Sequence, residues 1–364
     1  MSDEIILDKI RGSLVAGGVG DALGYPVEFR QYRDIAEDFG SGGITNYVLS
    51  RTEKKALVSD DTQMTLFTAA GLLNCFTRNK IENRNDTPEK DIYKCYLDWL
   101  AGQNGRRRKN NVSWLYDVKK LRASRAPGIT CLTALESGVM GSTANPVNQS
   151  KGCGGIMRVA PIGLFYDKNT PVEDIMSLAA ETAAITHGHS LGYIPSAAFA
   201  QIIHRVVYGG CSVGNTLEDI IRESNYLVEK MYRGDRNLRS YLELMNKAVE
   251  FSKNDKSDVE NIEAIGGGWV AEDALAVSVY CSLKYHDDFD MAIISSVNHS
   301  GDSDSTGAIT GNIVGALTGY DNISDKWKND LELLNIILEI ADDLAQKYSD
   351  SAQWRKKYTS LQVF

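Results

Sequence analysis

The sequence predicts an all-α fold, a compact helical domain whose helices are joined by long loops. Apolar residues recur at the spacing of one helix face along most of the chain, and only seven prolines occur in 364 residues. Strand-like alternation is scarce, and the strand–helix–strand rhythm that predicts a doubly wound sheet is missing. The polar stretches are too short to mark domain boundaries, so we expect a single domain over residues 1–364.

Four segments show the helical spacing most clearly, because their apolar residues fall on one face. These residues are Ile5, Ile6, Ile10, Leu14 and Val15 in the first segment, Ile175, Leu178, Ala179, Ala183 and Ile185 in the second, Ile220, Ile221, Leu227 and Met231 in the third, and Leu331, Leu334, Ile337, Leu338, Ala341 and Leu344 in the fourth. Each segment is expected to be an amphipathic helix packed against the core.

The formal net charge of −9 argues against nucleic acids and anionic membranes as partners, since both would repel the chain. The single basic run, residues 106–109, is expected to be a solvated loop. No apolar run reaches about 18 residues, and the acidic start Met1-Ser2-Asp3-Glu4 does not resemble a signal peptide. We therefore expect a cytoplasmic protein.

The six cysteines show neither paired C-x-x-C spacing nor the density of a disulfide scaffold. They are Cys75, Cys95, Cys131, Cys153, Cys211 and Cys281. Reduced and mostly buried thiols are expected.

Two acidic segments each stand directly before an apolar helical pattern. One is Ser-Asp-Asp-Thr at residues 59–62, and the other is Gly-Asp-Ser-Asp-Ser-Thr-Gly at residues 301–307. Ser and Asp in this position are ordinary N-caps, because their side-chain oxygens accept the unpaired N–H groups of the first turn. A cap needs only one such side chain, and each segment supplies more.

Glycine recurs every four residues behind the second segment, at Gly307, Gly311, Gly315 and Gly319. Glycine costs about 1 kcal/mol relative to alanine inside a helix. The repeat therefore predicts that another helix comes very close to this backbone.

Together the two acidic segments predict a metal site. Asp302 and Asp304 can converge on one point, whereas Asp60 and Asp61 can serve two. Four carboxylates in one cleft would repel one another, and some would be protonated at neutral pH unless divalent cations were present. Carboxylate and hydroxyl oxygens are hard ligands that suit Mg²⁺, Mn²⁺ or Ca²⁺, and the Ser305 hydroxyl is a further candidate.

Five motifs, in this order, resemble those of the ADP-ribosylglycohydrolase family, which includes ADP-ribosylarginine hydrolases and dinitrogenase reductase-activating glycohydrolases. The resemblance extends from about residue 9 to residue 346. The motifs are Gly12-Ser13 with Gly20-Asp21-Ala22-Leu23-Gly24-Tyr25-Pro26-Val27-Glu28-Phe29, then Ser59-Asp60-Asp61-Thr62, Gly152-Cys153-Gly154-Gly155-Ile156-Met157-Arg158, Thr186-His187-Gly188-His189, and Gly301-Asp302-Ser303-Asp304-Ser305-Thr306-Gly307.

The resemblance implies an orthogonal helical bundle with a cleft for two divalent cations, Mg²⁺ or Mn²⁺. The implied metal ligands are Ser59, Asp60, Asp61, Asp302, Asp304 and Ser305. The implied catalytic carboxyl groups are Glu28, Asp60 and Asp61. The implied substrate-binding residues are Gly152, Cys153, Gly154, Gly155 and Met157 for the diphosphate, with His187 near the phosphates and ribose.

The implied activity is release of ADP-ribose from an ADP-ribosylated protein, and the motif forms favour the arginine-specific branch. Other ADP-ribosyl linkages, to serine or a small molecule, stay open. So does an ADP-ribose-binding protein without turnover, including an immunity protein that neutralises an ADP-ribosyltransferase toxin. A phosphohydrolase has less support, because neither a phosphatase nor a Walker pattern is present.

Overall fold

The computed structural model describes residues 2–106, 108–209 and 216–359, and these residues are mainly helical. Within them are seventeen α-helices, and strand pairing is limited to isolated bridges. The helices are α1 (Asp3–Gly24), α2 (Tyr32–Phe39), α3 (Asp60–Glu82), α4 (Glu89–Gln103), α5 (Ile129–Glu136), α6 (Ala160–Phe165), α7 (Val172–Ala184), α8 (Ser190–His204), α9 (Leu217–Met231), α10 (Leu238–Phe251), α11 (Asp258–Ile265), α12 (Ala271–Lys284), α13 (Phe289–Val297), α14 (Ser303–Thr318), α15 (Asp325–Lys328), α16 (Leu334–Gln346) and α17 (Ala352–Tyr358). The predicted all-α class is confirmed.

Short helical turns complete the connections. They are 3₁₀ turns at Tyr25–Val27, Trp114–Asp117, Lys119–Arg122 and Cys153–Gly155, and a π turn at Arg205–Gly209. Buried apolar side chains from Ile10 to Tyr358 belong to one core cluster. Among the described residues, no helix has both the length and the apolar character needed to cross a bilayer.

Helices α1 and α14 pack with their backbones in contact. A Cβ atom added at Gly20 would lie 2.0 Å from the carbonyl oxygen of Gly307, and one at Gly12 would lie 2.3 Å from that of Gly315. Between these points, Ser13 Oγ donates to the Asn312 carbonyl at 2.9 Å. The close approach predicted from the glycine repeat is thus confirmed, and it fixes the C-terminal end of α1 beside the N-terminal end of α14.

The four predicted helices are present, with two corrections at their ends. Ile185 is the C-cap of α7 rather than part of the helix. Helix α16 begins at Leu334, so Leu331 lies before it rather than on its first turn. The backbone there pairs with residue 56 instead: Ala56 N donates to the Asp330 carbonyl at 2.8 Å, and Glu332 N donates to the Ala56 carbonyl at 3.0 Å. This long-range pairing replaces the helical hydrogen bonds that the apolar spacing predicted.

The expectation of a solvated basic loop is wrong for Arg108. Its guanidinium lies 2.8 Å from the buried carboxylate of Asp98, which also accepts from Val112 N and Ser113 N at 2.7 and 2.9 Å. The arginine compensates a buried charge that organises the turn. Arg107, in the same run, lies outside the described residues.

Five of the six cysteines lie in the described residues, and all five are free thiols. Four are buried, and Cys153 is half-buried. Cys211 lies outside the described residues. None of the five described cysteines is paired in a disulfide, as expected, and the predicted burial holds for four of them.

Candidate functional site

The first acidic segment forms the N-terminus of α3. Ser59 is the N-cap, and its side chain accepts from Asp61 N at 3.2 Å, as the capping rule predicts. Asp21, near the end of α1, accepts from Ser59 N at 2.9 Å and from Thr62 N at 3.1 Å, and it also bonds the Thr62 hydroxyl. Because Asp21 satisfies these groups, the carboxylates of Asp60 and Asp61 are not needed as caps.

The second acidic segment forms the N-terminus of α14 in the same way. Asp302 is the N-cap and accepts from Ser305 N at 3.3 Å, while Asp304 accepts from the same N–H at 2.9 Å. Close packing of α1 on α14 holds this segment beside Glu28, four residues beyond the end of α1. Glu28, Asp302 and Asp304 each offer one carboxylate oxygen, and these three oxygens lie within 4.8 Å of one another.

Both segments open into one cavity of about 280 Å³. Its walls are Glu28, Phe29, Asp60, Asp61, Ala126, Pro127, Gly128, Ile129, Thr130, Cys131, Gly152, Cys153, Gly154, Met157, His187, Trp269, Asp302, Asp304 and Ser305. We call the part formed by Glu28, Asp60, Asp61, Asp302 and Asp304 the carboxylate end. We call the part formed by Gly152, Gly154, Met157 and His187 the glycine end.

The carboxylate end is a poor environment for negative charge. Burial, reinforced by the charges of Asp302 and Asp60, raises the pKa of Glu28 to about 9. Burial raises the pKa of Asp60 to about 8 and that of Asp21 to about 6. Burial and the neighbouring aspartates also raise the pKa of Asp61 and Asp304 well above the usual range.

The residues present at this end fit divalent cations. The buried Oδ2 of Asp61 has no hydrogen-bond partner. The three clustered carboxylates are spaced so that a single ion could contact all of them, and every donor apart from the nearby Cys153 thiol is a hard oxygen. Cations would cancel the mutual repulsion that adds to burial in raising the pKa values.

The glycine end carries no carboxylate, and its histidine is neutral. Burial, with a smaller contribution from the charge of Arg158, lowers the pKa of His187 to about 3. Its Nδ1 lies 2.9 Å from Thr186 Oγ1. A Cβ atom added at Gly154 would lie 2.9 Å from Cys131 Sγ and 3.2 Å from His187 Cε1, so the loop depends on glycine to pack this closely.

A buried cation lies behind the glycine end. The Arg158 guanidinium is fully buried, and its partners are neutral: the sulfur atoms of Met64 and Cys131 at 3.5 Å, the Thr182 carbonyl at 3.4 Å and the Thr186 hydroxyl at 2.6 Å. It also lies 4.4 Å from the Tyr96 ring centroid. The two ends of the cavity therefore have opposite electrostatic character.

Two of the predicted site residues do not line the cavity. Ser59 is fully buried below it, and Gly155 packs against Ala183 and the Gly192 carbonyl. The other predicted residues do line it. Cys153 joins the two ends, because its thiol donates to Asp302 Oδ2 at 2.9 Å.

Four contributors to the site were not predicted from the sequence. Asp21 and Phe29 stood inside a quoted motif but were given no role. Gly128 N donates to Asp60 Oδ2 at 3.2 Å, and Trp269 stacks on Phe29 with ring centroids 5.1 Å apart. The one available signal for Trp269 was the run Gly266-Gly267-Gly268 before it, a backbone pattern like those at the other motifs.

The chain is similar in sequence or in fold to several known proteins. ADP-ribosylhydrolase ARH3 from Mus musculus is 25% identical over 56% of this chain, and the alignment spans 59% of that protein, little more than half its length. ADP-ribosylhydrolase ARH1 from Dictyostelium discoideum is 23% identical, with 93% of this chain and 94% of that protein covered. A solved structure described as an ADP-ribosylglycohydrolase-related protein complex shares the fold with a TM-score of 0.65 at 22% identity, over 94% of this chain and 99% of that one. The family model described as ADP-ribosylglycohydrolase matches residues 2–353, nearly the whole length, and this chain belongs to that family of generally metal-dependent hydrolases.

Proposed function

We propose that this chain is a cytoplasmic, single-domain hydrolase that uses two divalent cations, Mg²⁺ or Mn²⁺, to release ADP-ribose from ADP-ribosyl-arginine in modified proteins. The observation that carries the proposal is the cavity itself, which joins a carboxylate cluster to a glycine-rich loop backed by a buried arginine. An ADP-ribosyl group has a matching polarity, with a diphosphate at its centre and a reactive ribose at one end.

The charges orient the substrate. The diphosphate is attracted by the positive charge of Arg158 behind the glycine end and repelled by the carboxylates at the other end. The neutral ring of His187 adds polar contact there without a competing negative charge. The ribose that carries the modified side chain then lies at the carboxylate end, where the bond is cut.

The residues at the carboxylate end have two roles, which are to hold the cations and to transfer a proton. The cations, when bound, polarise the ribose hydroxyls and the attacking water. They would be held by Asp60, Asp61, Asp302 and Asp304, with the hydroxyls of Ser59 and Ser305 as further ligands. Cleavage at an anomeric carbon calls for a carboxyl group that moves a proton, and Glu28 is the first candidate, with Asp60 or Asp61 as the alternative.

The arginine linkage rests on the motif forms. Ser-Asp-Asp-Thr at 59–62, Gly-Asp-Ser-Asp-Ser-Thr at 301–306 and Gly-Cys-Gly before Met157 and Arg158 resemble the arginine-specific branch more than the serine-specific one. An acidic reaction end also suits the guanidinium of the modified arginine, which is cationic in the bound substrate.

The test uses two peptides of matched sequence, one ADP-ribosylated on arginine and one on serine. Each is incubated with the protein and Mg²⁺, with a chelator in the control reaction. We expect Mg²⁺-dependent release of ADP-ribose, faster from arginine. Preferential release from serine would overturn the linkage, and tight binding without release from either peptide would overturn the hydrolase proposal.

A further inference from the structure

Two aromatic rings are exposed together at the wall of the cavity. Phe29 is 67% exposed and Trp269 is 41% exposed, and their ring planes are inclined by only 27°. Both residues line the cavity. Large apolar surfaces left open beside a charged cleft are typical of a ligand-binding site.

The backbone at Phe29 points to the same conclusion. Its φ angle of 64° lies in the left-handed region, where a residue with a Cβ atom is strained and glycine is not. The strain does not help to bury the ring, since most of its surface stays in solvent. Strain retained at an exposed residue beside a cleft suggests that the position of the ring has a function.

The ring pair lies at the carboxylate end. Phe29 directly follows Glu28, whose carboxylate belongs to the cluster with Asp302 and Asp304. Trp269 packs beside Gly267, where an added Cβ atom would lie 2.8 Å from Trp269 Cδ1, and the Gly267 carbonyl accepts from Asp302 N at 2.8 Å. The Trp269 carbonyl accepts from Cys153 N at 3.2 Å, on the side of the glycine-rich loop. This hydrogen bond holds the backbone of Trp269, and its ring stacks on Phe29.

Each ring covers one face of the other, and the exposed remainder of the pair is available to a cation. Within the described part of the chain, the lysine and arginine side chains that stack over aromatic rings do so elsewhere, for example Arg158 over Tyr96 and Lys326 over Trp327. A guanidinium is planar and weakly hydrated, and it stacks on aromatic faces while neighbouring carboxylates attract its charge. A serine side chain offers neither the plane nor the charge.

We propose that Phe29 and Trp269 form a stacking site for the guanidinium of the modified arginine and so determine which linkage the cavity accepts. This proposal rests on the function proposed above and names the residues that recognise the side chain rather than the ADP-ribose. The rings hold the acceptor group against the carboxylate end while the diphosphate is held at the other.

The experiment compares wild-type protein with Phe29→Leu, Phe29→Gly and Trp269→Leu on the arginine- and serine-linked peptides. We expect KM for the arginine peptide to rise about tenfold in each, the range of a desolvated cation–ring contact. The kcat value should stay within about twofold, because the chemistry is untouched. The inhibition constant of free ADP-ribose and KM for the serine peptide should not move.

Three further variants serve as controls. Phe29→Tyr and Trp269→Phe keep a ring and should keep the wild-type KM. Tyr226→Leu removes an aromatic side chain of similar exposure, 66%, and should change nothing. Phe29→Gly relieves the left-handed strain, so its thermal melting temperature should equal or exceed that of the wild type, which separates loss of the ring from loss of the fold.

Two results would overturn the stacking site. One is a parallel loss of affinity for free ADP-ribose, which would show that the rings hold the ADP-ribose, for example its adenine. The other is an unchanged KM for the arginine peptide in folded variants. If the wild type cleaves neither peptide, the proposed function fails, and calorimetry in chelator still tests the stacking site. Tighter binding of ADP-ribosyl-arginine than of ADP-ribose, lost in Phe29→Leu, would support the stacking site. Equal affinities of the wild type for the two ligands would refute it.

Discussion

The carboxylate end and the glycine end of the cavity are both largely buried, yet the charged groups that they hold are of opposite sign. At the glycine end, His187 is neutral and its Nδ1 lies 2.9 Å from a hydroxyl. At the carboxylate end, a buried oxygen of Asp61 has no partner, and the pKa values of Glu28 and Asp60 are raised by burial and by their neighbours. The charge that remains at the glycine end is positive and lies behind the wall, on Arg158.

This difference indicates that the chain forms the glycine end without a ligand, whereas the carboxylate end needs bound cations to balance its charge. Neutral hydrogen bonds and glycine packing make the glycine end ready to accept a diphosphate. The carboxylate end brings together several carboxyl groups whose ionised forms are disfavoured by burial and repel one another, and this weakens the folded state until cations neutralise them. Variants that remove a carboxylate from the carboxylate end should therefore lower activity while leaving stability equal or higher.

The largest effect is expected from Asp302→Asn, which removes one charge from the carboxylate end. We expect kcat/KM to fall at least about 1,000-fold, since a lost metal ligand forfeits several kcal/mol of transition-state stabilisation. In chelator the unfolding free energy should stay equal or rise, because asparagine keeps the N-cap and removes like-charge repulsion. Steady-state kinetics and urea denaturation measure the two quantities.

Asp288→Asn is the matched control for this variant. Asp288 caps α13 in the same manner, accepting from Met291 N at 3.0 Å, and it is exposed. Its substitution should change neither activity nor stability. If Asp302→Asn keeps activity within tenfold of the wild type, Asp302 is a cap and not a ligand.

The next effect is the pH dependence of stability without metal. The folded state binds protons more tightly than the unfolded state, because the pKa values of Asp21, Asp60 and Glu28 rise from near 4 to about 6, 8 and 9. The unfolded state then carries fewer protons as pH rises, so the unfolding free energy falls between about pH 4 and pH 9. Denaturation in chelator at several pH values tests this slope.

Saturating Mg²⁺ should flatten the decline and add about 3–4 kcal/mol when its concentration is 100 to 1,000 times its Kd. Asp60→Asn should reduce the slope in chelator, because it removes one of the groups that bind protons in the folded state. If the unfolding free energy falls with pH equally steeply with and without Mg²⁺, these carboxylates do not bind cations. The proposal that the carboxylate end needs cations and the glycine end does not would then fail.

Local patterns predicted much of this architecture. Ser59 and Asp302 cap their helices as the N-cap rule requires, and the glycine repeat of α14 predicted the contact with α1. The caps depend only on residues next to each other in the sequence. The glycine repeat places its residues on one face of a helix whatever that helix packs against. Convergence of the acidic segments was also foreseen, because four carboxylates in two capping positions exceed what capping needs.

Features that depend on the path of distant loops were not predictable in this way. Phe29 and Trp269 are 240 positions apart, and nothing in either local pattern indicates that they stack. Leu331 fits a helical face but pairs with the backbone of Ala56, and Arg108 fits a solvated run but binds Asp98. In each case a contact outside the local pattern outweighed the local preference, and for Arg108 that contact lies only ten positions away.

The smallest effect, at the glycine end, is expected from Arg158→Met. An apolar side chain of similar length can pack against Met64 and Tyr96, so the unfolding free energy should change by no more than about 1 kcal/mol, as often happens when a buried charge is replaced by an apolar group. The affinity for ADP-ribose should fall about tenfold, since one charge at this range and in this medium contributes on the order of 1–2 kcal/mol. Arg158→Lys keeps the charge and should keep most of the affinity.

Calorimetric titration with ADP-ribose, and with adenosine as the ligand that lacks phosphates, measures the electrostatic part of binding directly. Adenosine should bind all three proteins alike, because it offers no negative charge to Arg158. If Arg158→Met instead unfolds the protein and leaves the affinity of the remaining folded fraction unchanged, the arginine has a structural role. Arg158 would then contribute to stability and not to ligand binding. Only the carboxylate end would hold groups that bind a ligand and lower the stability of the folded state.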